Sequence, residues 1–419
     1  MKTRLLTALF AVGAASLAAV GARADTTDVK TQSWVVVSKK GAHCKDDPNC
    51  MNRYHPAIKP VATAKPGQLI LFETRDALDS DLTVESQPKD LAAIDLNNVH
   101  PITGPVHIEG AKRGDVLAVT LVDVEPDEYG YTTIVPGFGF LRDMFTQPYI
   151  ANWELNRLEA VSKQLPGVAI PMNAFMGTVG TLPGEPEVDA WLERETKLGE
   201  AGGIALPPQP TGAIPADVCG PNGKYKDKCL RTIPPRENGG NMDVKQMVVG
   251  TTLLLPCYVD GCGLFVGDVH YAQGDGEVSG TAIEMGAKVT VRTEIRKGML
   301  SMIRGGPHFE GGSQLKKLEP DVFHATVGYP TKKAGEVPPY HKYLDSAKIA
   351  GLTNLSEDLM MAARNSLIDM IDWLQKNKGM NAEQAYVYTS VACDLRIGNV
   401  VDVPNYAVST ICPLEHIRK

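Results

Sequence analysis

The run from Gly114 to Val124, GDVLAVTLVDV, is what a fold for this chain must accommodate first. Side chains alternate across a strand. Val116, Ala118, Thr120 and Val122 therefore fall on one face, and Leu117, Val119, Leu121 and Asp123 on the other. Both faces are mostly apolar, which suits a strand inside a sandwich. Trp34 to Val37, Leu69 to Thr74, Met247 to Pro256 and Ala287 to Ile295 are predicted strands as well. In the last of these, Val289, Val291 and Thr293 alternate with Thr290, Arg292 and Glu294, as at a sheet surface. Asn152 to Gln164 is predicted to be a helix, stopped before Pro166.

The C-terminal region carries the clearest helical pattern. Ser356 caps it, Glu357 and Asp358 occupy its first turn, and Lys376, Lys378 and Gly379 mark its end. Leu359, Met360, Ala363, Leu367, Met370, Ile371 and Leu374 form one stripe along it. Asn381 caps a second, short helix around Ala382 to Tyr388. Strands, an irregular middle, strands and then helices define a β-rich α+β protein with C-terminal packing helices, not a doubly wound sheet. The 40 glycines and 29 prolines fit many turns and short strands better than a helical bundle.

The chain divides into a leader (1–24), an N-terminal β-rich domain (25–200), a Gly/Pro-rich surface insertion (201–240) and a β-rich catalytic region with a C-terminal α+β part (241–419). The leader reads as an export signal. Lys2 and Arg4 precede an apolar stretch from Leu5 to Val20, and Ala22 and Ala24 supply the small residues of a cleavage point near Ala24. That stretch is short for a span of roughly 20 residues, although a retained anchor is the alternative. The expected location is periplasmic or secreted, with no stable membrane insertion. The eight cysteines fall in local pairs. Cys44 with Cys50 and Cys219 with Cys229, in loop-like polar stretches, are predicted disulfides; Cys257 with Cys262 and Cys393 with Cys412 are open. A net charge of −7 without a block of like charges excludes nucleic acid and anionic membrane surfaces as partners.

Chemistry concentrates in Gly267 to Glu284, GDVHYAQGDGEVSGTAIE. Asp268 and His270 share a face if extended, as do Asp275 and Glu277, and the surrounding glycines permit tight turns. Two close pairs of N and O donors on a constrained loop suit a divalent cation, with a Glu beside it as general base. The competing reading is a solvent-exposed acidic hairpin. DLNNVHPITGP, with Asn97 and His100, and RENGGNMD, with Asn241 and Asp243, are further polar patches that also read as turns. There is no G-x-S-x-G elbow and no phosphate-binding G-x-x-x-x-G-K-[ST].

Taken in order, DLNNVHPITGPVHIEGAKRGDVLAVTLVDV, RENGGNMD, GLFVGDVHYAQGDGEVSGTAIE, EDLMMAARNSLIDMIDWL and AYVYTSVACDLRIGNVVDVPN resemble the acetamidase/formamidase family over most of the mature chain. The resemblance implies a jelly-roll-like β-sandwich or barrel core with a smaller α+β part, and a homo-oligomer. It implies hydrolysis of small aliphatic amides to acid and ammonia, with a divalent metal, zinc before calcium. Asn97, His100, Asp243, Asp268, His270, Gln273, Asp275 and Glu277 are the residues it carries over. Asp268, His270 and His100 are expected to hold the metal, and Glu277 to act as base. Asp275, Gln273 and Asn97 complete the catalytic set, with Asn97 or Gln273 as oxyanion donor, and Asp243 and Asn241 bind substrate. His100, Ser279 and Cys393 depart from the family pattern, which favours Asn, Cys and Gly there. A non-catalytic exported protein that binds a metal or small ligand, and a hydrolase of another C–N or ester bond, are the alternatives.

Overall fold

The computed structural model describes residues 34–201, 203–303, 306–332, 358–401 and 405–418. The expected leader, and the helix residues Ser356 and Glu357, lie outside them. The apolar run at Gly114 becomes one strand of 19 residues, Val116–Ile134. Among the described residues it is the hub of a branched, open sheet of 15 strands that does not close into a barrel, so the β-rich α+β class stands and the barrel alternative does not. Glu284–Arg296 pairs antiparallel along Val116 to Tyr131. Thr252–Pro256 and Tyr149–Leu155 pair with the two ends of the same long strand. Leu117, Val119 and Leu121 are buried in the main core, as their alternation requires, and a register shift after Leu121 brings Val124 in place of Asp123.

The strand Leu264–His270 is buried along its whole length. Phe175–Gly180 pairs with it on one edge. On the other edge Ile102–Ile108 covers its start and Glu284 its end. Gly239–Asn241 then pairs with Phe175–Gly180. This arrangement draws the three polar patches of the sequence to one place.

Several local expectations change. Asn152 to Gln164 is a hairpin of Tyr149–Leu155 and Glu159–Ser162, not a helix. Trp153 and Leu155 alternate inward, and Trp153 Nε1 donates to Thr132 Oγ1 at 3.0 Å, so pairing with the long strand overrides the local helical pattern. The strand expected from Met247 starts at Thr252, because Gly250 turns the chain with φ 92°. Glu185–Glu200 is a helix that the sequence reading missed; Val188 and Trp191 seat it. The 201–240 stretch is not a surface appendage: Ala213, Cys219, Cys229 and Leu230 pack with Tyr54, Ile102 and Phe265 in a second core.

The C-terminal helix is Leu359–Lys378, and Asp358 caps it by accepting from the Met360 N–H. Met360 is exposed, while Leu367, Met370 and Leu374 are buried as predicted. Gly379 takes the left-handed conformation that ends the helix. Asn381 caps the next helix, which runs on to Ala392. The long helix packs on a separate three-stranded sheet of Phe323–Gly328, Ala407–Pro413 and Asp394–Asn399. All eight cysteines are paired: Cys44–Cys50 and Cys219–Cys229, as expected, and also Cys257–Cys262 and Cys393–Cys412.

Candidate active site

Asp268 and His270 close the buried strand, with Asp268 Oδ1 3.5 Å from His270 Nε2. The register sets His270 opposite Glu284, whose Oε2 is 3.1 Å from Nε2. On the other flank is Gly177, where a Cβ would stand 2.8 Å from Nε2. Glycine there is what lets the imidazole lie against the neighbouring strand. Asn241 ends the strand that pairs with Thr178, and Asp243 follows two residues on. His100, just before Ile102, points Nε2 at Asp268 Oδ2 from 3.9 Å. Glu277 arrives from the turn after Gln273. Donor atoms of Asp243, Asp268 and His270 lie within 4.8 Å of one another, as do those of His270, Glu277 and Glu284.

Three of these carboxylates sit on left-handed backbone: Asp243 (φ 51°), Asp268 (φ 49°) and Glu277 (φ 43°). Non-glycine residues seldom adopt that region, and they concentrate there at functional sites. The charges are as crowded as the backbone is strained. Burial and the Asp268 and Glu284 carboxylates push Asp243 up to about 8. Burial and the Asp268 carboxylate raise Glu284 to about 7. Burial, then Asp243, keeps Glu277 well above the usual carboxylate range. Against the cost of its burial, the His100 and His270 rings hold Asp268 below it. Burial likewise opposes charge on His270, but Glu284 and Asp268 raise it well above an ordinary imidazole. Burial lowers His100.

His100 Nδ1, Asp243 Oδ1, Asp268 Oδ1, His270 Nε2 and Glu284 Oε2 are all buried without a hydrogen-bond partner. Buried polar atoms of a native protein are seldom left so; His270 Nε2 and Glu284 Oε2 face each other at 3.1 Å as an ion pair, and the clustered Asp243, Asp268 and His270 atoms call for a shared partner. Lone pairs from imidazole nitrogen and carboxylate oxygen that converge within this distance fit a divalent cation. The cluster opens into a cavity of about 470 Å³ that His100, Asn241, Asp243, Asp268, Glu277 and Glu284 line together with apolar side chains.

Not every expected residue is in this group. Gln273 stands behind it: its Oε1 accepts from His270 Nδ1 at 2.8 Å and its Nε2 donates to the Asp243 carbonyl at 2.7 Å. Both ends of that amide are engaged, so it does not reach the cavity as an oxyanion donor. Asn97 also stays outside; its carbonyl accepts from Arg53 at 3.1 Å and its N–H donates to Asp95 at 2.9 Å. Asp275 does not share a face with Glu277, because the chain turns at Gly276 (φ 102°) instead of extending. Its carboxylate accepts from Gln246 at 2.8 Å, beside Lys245 and Asp394. Ser279 packs against the Ser390 hydroxyl at 3.1 Å, and Cys393 is in its disulfide. Glu284, Gly177 and Thr178 were missed as site residues. Thr178 Oγ1 lies 2.9 Å from Asn241 Oδ1 and 3.2 Å from Asp268 Oδ2. Glu284 lies one strand beyond the His270 motif, and only the pairing register joins the two.

An open β-rich scaffold that lines a cavity with His100 and four carboxylates, and sets the His270 imidazole against them, defines a protein built like a hydrolase with a cluster that could hold a metal ion. The chain belongs to the Acetamidase/Formamidase family, whose model matches residues 37–418. It is 31% identical over 361 residues to an acetamidase of Mycolicibacterium smegmatis, covering 80% of this chain and 84% of that protein. It is 28% identical over 389 residues to a formamidase of Methylophilus methylotrophus, covering 88% and 90%. Among solved structures, a gamma lactamase from Delftia acidovorans matches with a TM-score of 0.81 at 29% identity, over 92% of this chain and 94% of that one.

Proposed function

We propose that this chain hydrolyses small aliphatic amides to the acid and ammonia at the cavity lined by His100, Asp268 and Glu284, with His270 beside it and a divalent cation as cofactor. The observation that carries the reading is the pair of overlapping ligand clusters, Asp243–Asp268–His270 and His270–Glu277–Glu284, in a member of an amidase family. Asp243, Asp268 and His270 would hold the ion, with Glu284 facing the same Nε2 of the shared imidazole. Zinc is preferred over calcium, because calcium selects oxygen ligands alone and this set includes an imidazole. A bound cation would supply Lewis acidity for the amide carbonyl and for water.

The protein's own groups do the rest. Glu277 lines the cavity beside the His270 cluster, and as the carboxylate, with a bound cation offsetting the neighbouring negative charges, it can take a proton from the attacking water and pass it to the departing nitrogen. Asn241 lines the cavity, and Thr178 engages its Oδ1. Its amide N–H is then a neutral donor for the carbonyl oxygen as charge develops, the task expected of Asn97 or Gln273. Gln273 fixes the His270 ring and acts through it.

The likeness to a gamma lactamase favours a second reading in which a cyclic amide is opened. The four disulfides and the leader pattern support action outside the cytoplasm. Self-association is proposed from the family resemblance and is read by light scattering. The test of function is ammonia release from a panel of linear amides, with mass spectrometry for ring opening of lactams. Turnover of either class supports the amidase reading, and a metal-loaded preparation that turns over neither overturns it.

A further inference from the structure

The cavity is larger than the smallest amides need. It measures about 470 Å³. A water molecule occupies about 30 Å³ in the liquid, so acetamide, with four heavy atoms, needs on the order of 80 Å³. Formamide needs less. A site of this size would leave such a substrate surrounded by water, which weakens every electrostatic contact that catalysis uses.

The remaining space is mostly apolar, with Thr133 and Thr281 its other polar side chains. Leu78, Leu91, Ile94, Val99, Phe138 and Ile233 line it beside the carboxylates. They come from three separate parts of the chain: the segment before His100, the bend after the long strand, and the stretch after the Cys219–Cys229 disulfide. The rim is apolar as well. Leu96 and Phe138 also line the cavity, yet are 54% and 52% exposed. The Phe138 ring is seated against Gly280, where a Cβ would come within 2.5 Å of the ring carbons. Gly280 has φ 96°, so a side chain is disfavoured there on backbone grounds too. An exposed phenyl group fixed over a carboxylate-lined floor gains most from a substrate that covers it.

We infer that the preferred substrates are amides whose acyl part is a medium-sized hydrocarbon, branched, cyclic or linear, that fills the space between Leu91, Phe138 and Ile233. Acetamide and formamide remain substrates, and turnover rises with the hydrocarbon that the cavity covers. The inference rests on the amidase reading above and narrows it. Phe138 and Ile233 become specificity-determining residues: they touch the acyl group and take no part in proton transfer.

The test is kcat/KM for ammonia release from acetamide, butyramide, hexanamide and cyclohexanecarboxamide, on metal-loaded full-length protein. Each buried methylene should raise it roughly fourfold, so that hexanamide exceeds acetamide by on the order of a hundredfold. Phe138→Ala should reduce the hexanamide-to-acetamide ratio by at least tenfold. A flat or falling series overturns this inference and leaves the amidase reading intact. Calorimetry on Glu277→Gln gives a second measure that does not depend on turnover. Tighter binding of hexanamide than of acetamide supports the inference, and equal binding overturns it. Absence of ammonia from every amide overturns the amidase reading, and this inference with it.

Discussion

The His270 ring receives its orientation from Gln273, whose Oε1 is 2.8 Å from Nδ1. The other end of the same amide donates to the Asp243 carbonyl, which can only accept. Gln273 therefore has to present oxygen to His270, and Nδ1 has to carry a proton. Nε2 is left as the ring's free end, and it faces Asp268 at 3.5 Å and Glu284 at 3.1 Å. Without a cation that nitrogen is protonated and ion-paired, and with one it is a ligand. Cation and proton compete for the same lone pair.

Gln273→Leu removes the partner of Nδ1 and leaves the Asp243 carbonyl without its donor. Loss of such a supporting contact costs about 10–100-fold in metal affinity. Competition with a coloured chelator should show that loss in a folded protein, and Gln273→Glu should restore part of it.

Gly177→Ala should damage the same ring from the other side. The new Cβ would lie 2.6 Å from the Asp268 carbonyl oxygen and 2.7 Å from His270 Cε1. Neither neighbour is the end of a flexible chain, so the ring or the strand has to shift. Metal affinity and kcat/KM are expected to fall at least tenfold. Gly199→Ala is the control, since its Cβ meets only Ala205 at 3.6 Å, and it should be neutral or slightly stabilising. Equal effects from the two substitutions would remove the assignment.

The stability of the metal-free protein should fall as pH rises. Asp243 at about 8 and Glu284 at about 7 stand above their unfolded values of 3.8 and 4.5. Between those limits the native state holds more protons than the unfolded chain, so raising the pH favours unfolding. Glu277 and His270, both raised, act in the same direction. His100, lowered from 6.5, opposes them below that pH, and the lowered Asp268 adds stability already complete above 3.8. Urea unfolding should show stability falling steadily from pH 5 to pH 8. A saturating divalent cation should reverse it, by about 4 kcal/mol at a thousand times Kd.

Glu277→Gln keeps the shape of the side chain and removes its proton chemistry. Turnover should fall by about 100-fold to 10,000-fold while metal content is unchanged. Turnover near that of the parent would move the base to Glu284, the other carboxylate beside His270.

Part of this site is legible from residue spacing alone. Asp268 and His270 are two apart on a strand, and strand geometry puts them on one face. The same rule fails for Asp275 and Glu277, because Gly276 turns the chain and sends Asp275 toward Gln246. Glu284 could be read only as one more acid, since its role comes from pairing opposite His270. Asn152 to Gln164 fails for a related reason. Its local spacing fits a helix, but Ala151 and Trp153 are claimed by the second half of a strand that began at Val116. Contacts set by distant pairing are the ones that local periodicity does not carry. The helix caps at Asn381 and Gly379, which depend on adjacent residues only, were readable.

The central claim is that the buried imidazole–carboxylate cluster holds a divalent cation on which amide hydrolysis depends. Elemental analysis of the purified protein, coupled to ammonia release before and after chelation and again after metal is restored, tests it most directly. The account predicts about one zinc or similar ion per chain at the shared His270 cluster, activity lost on its removal and recovered on its return. Undiminished ammonia release from protein shown to be free of metal would contradict it.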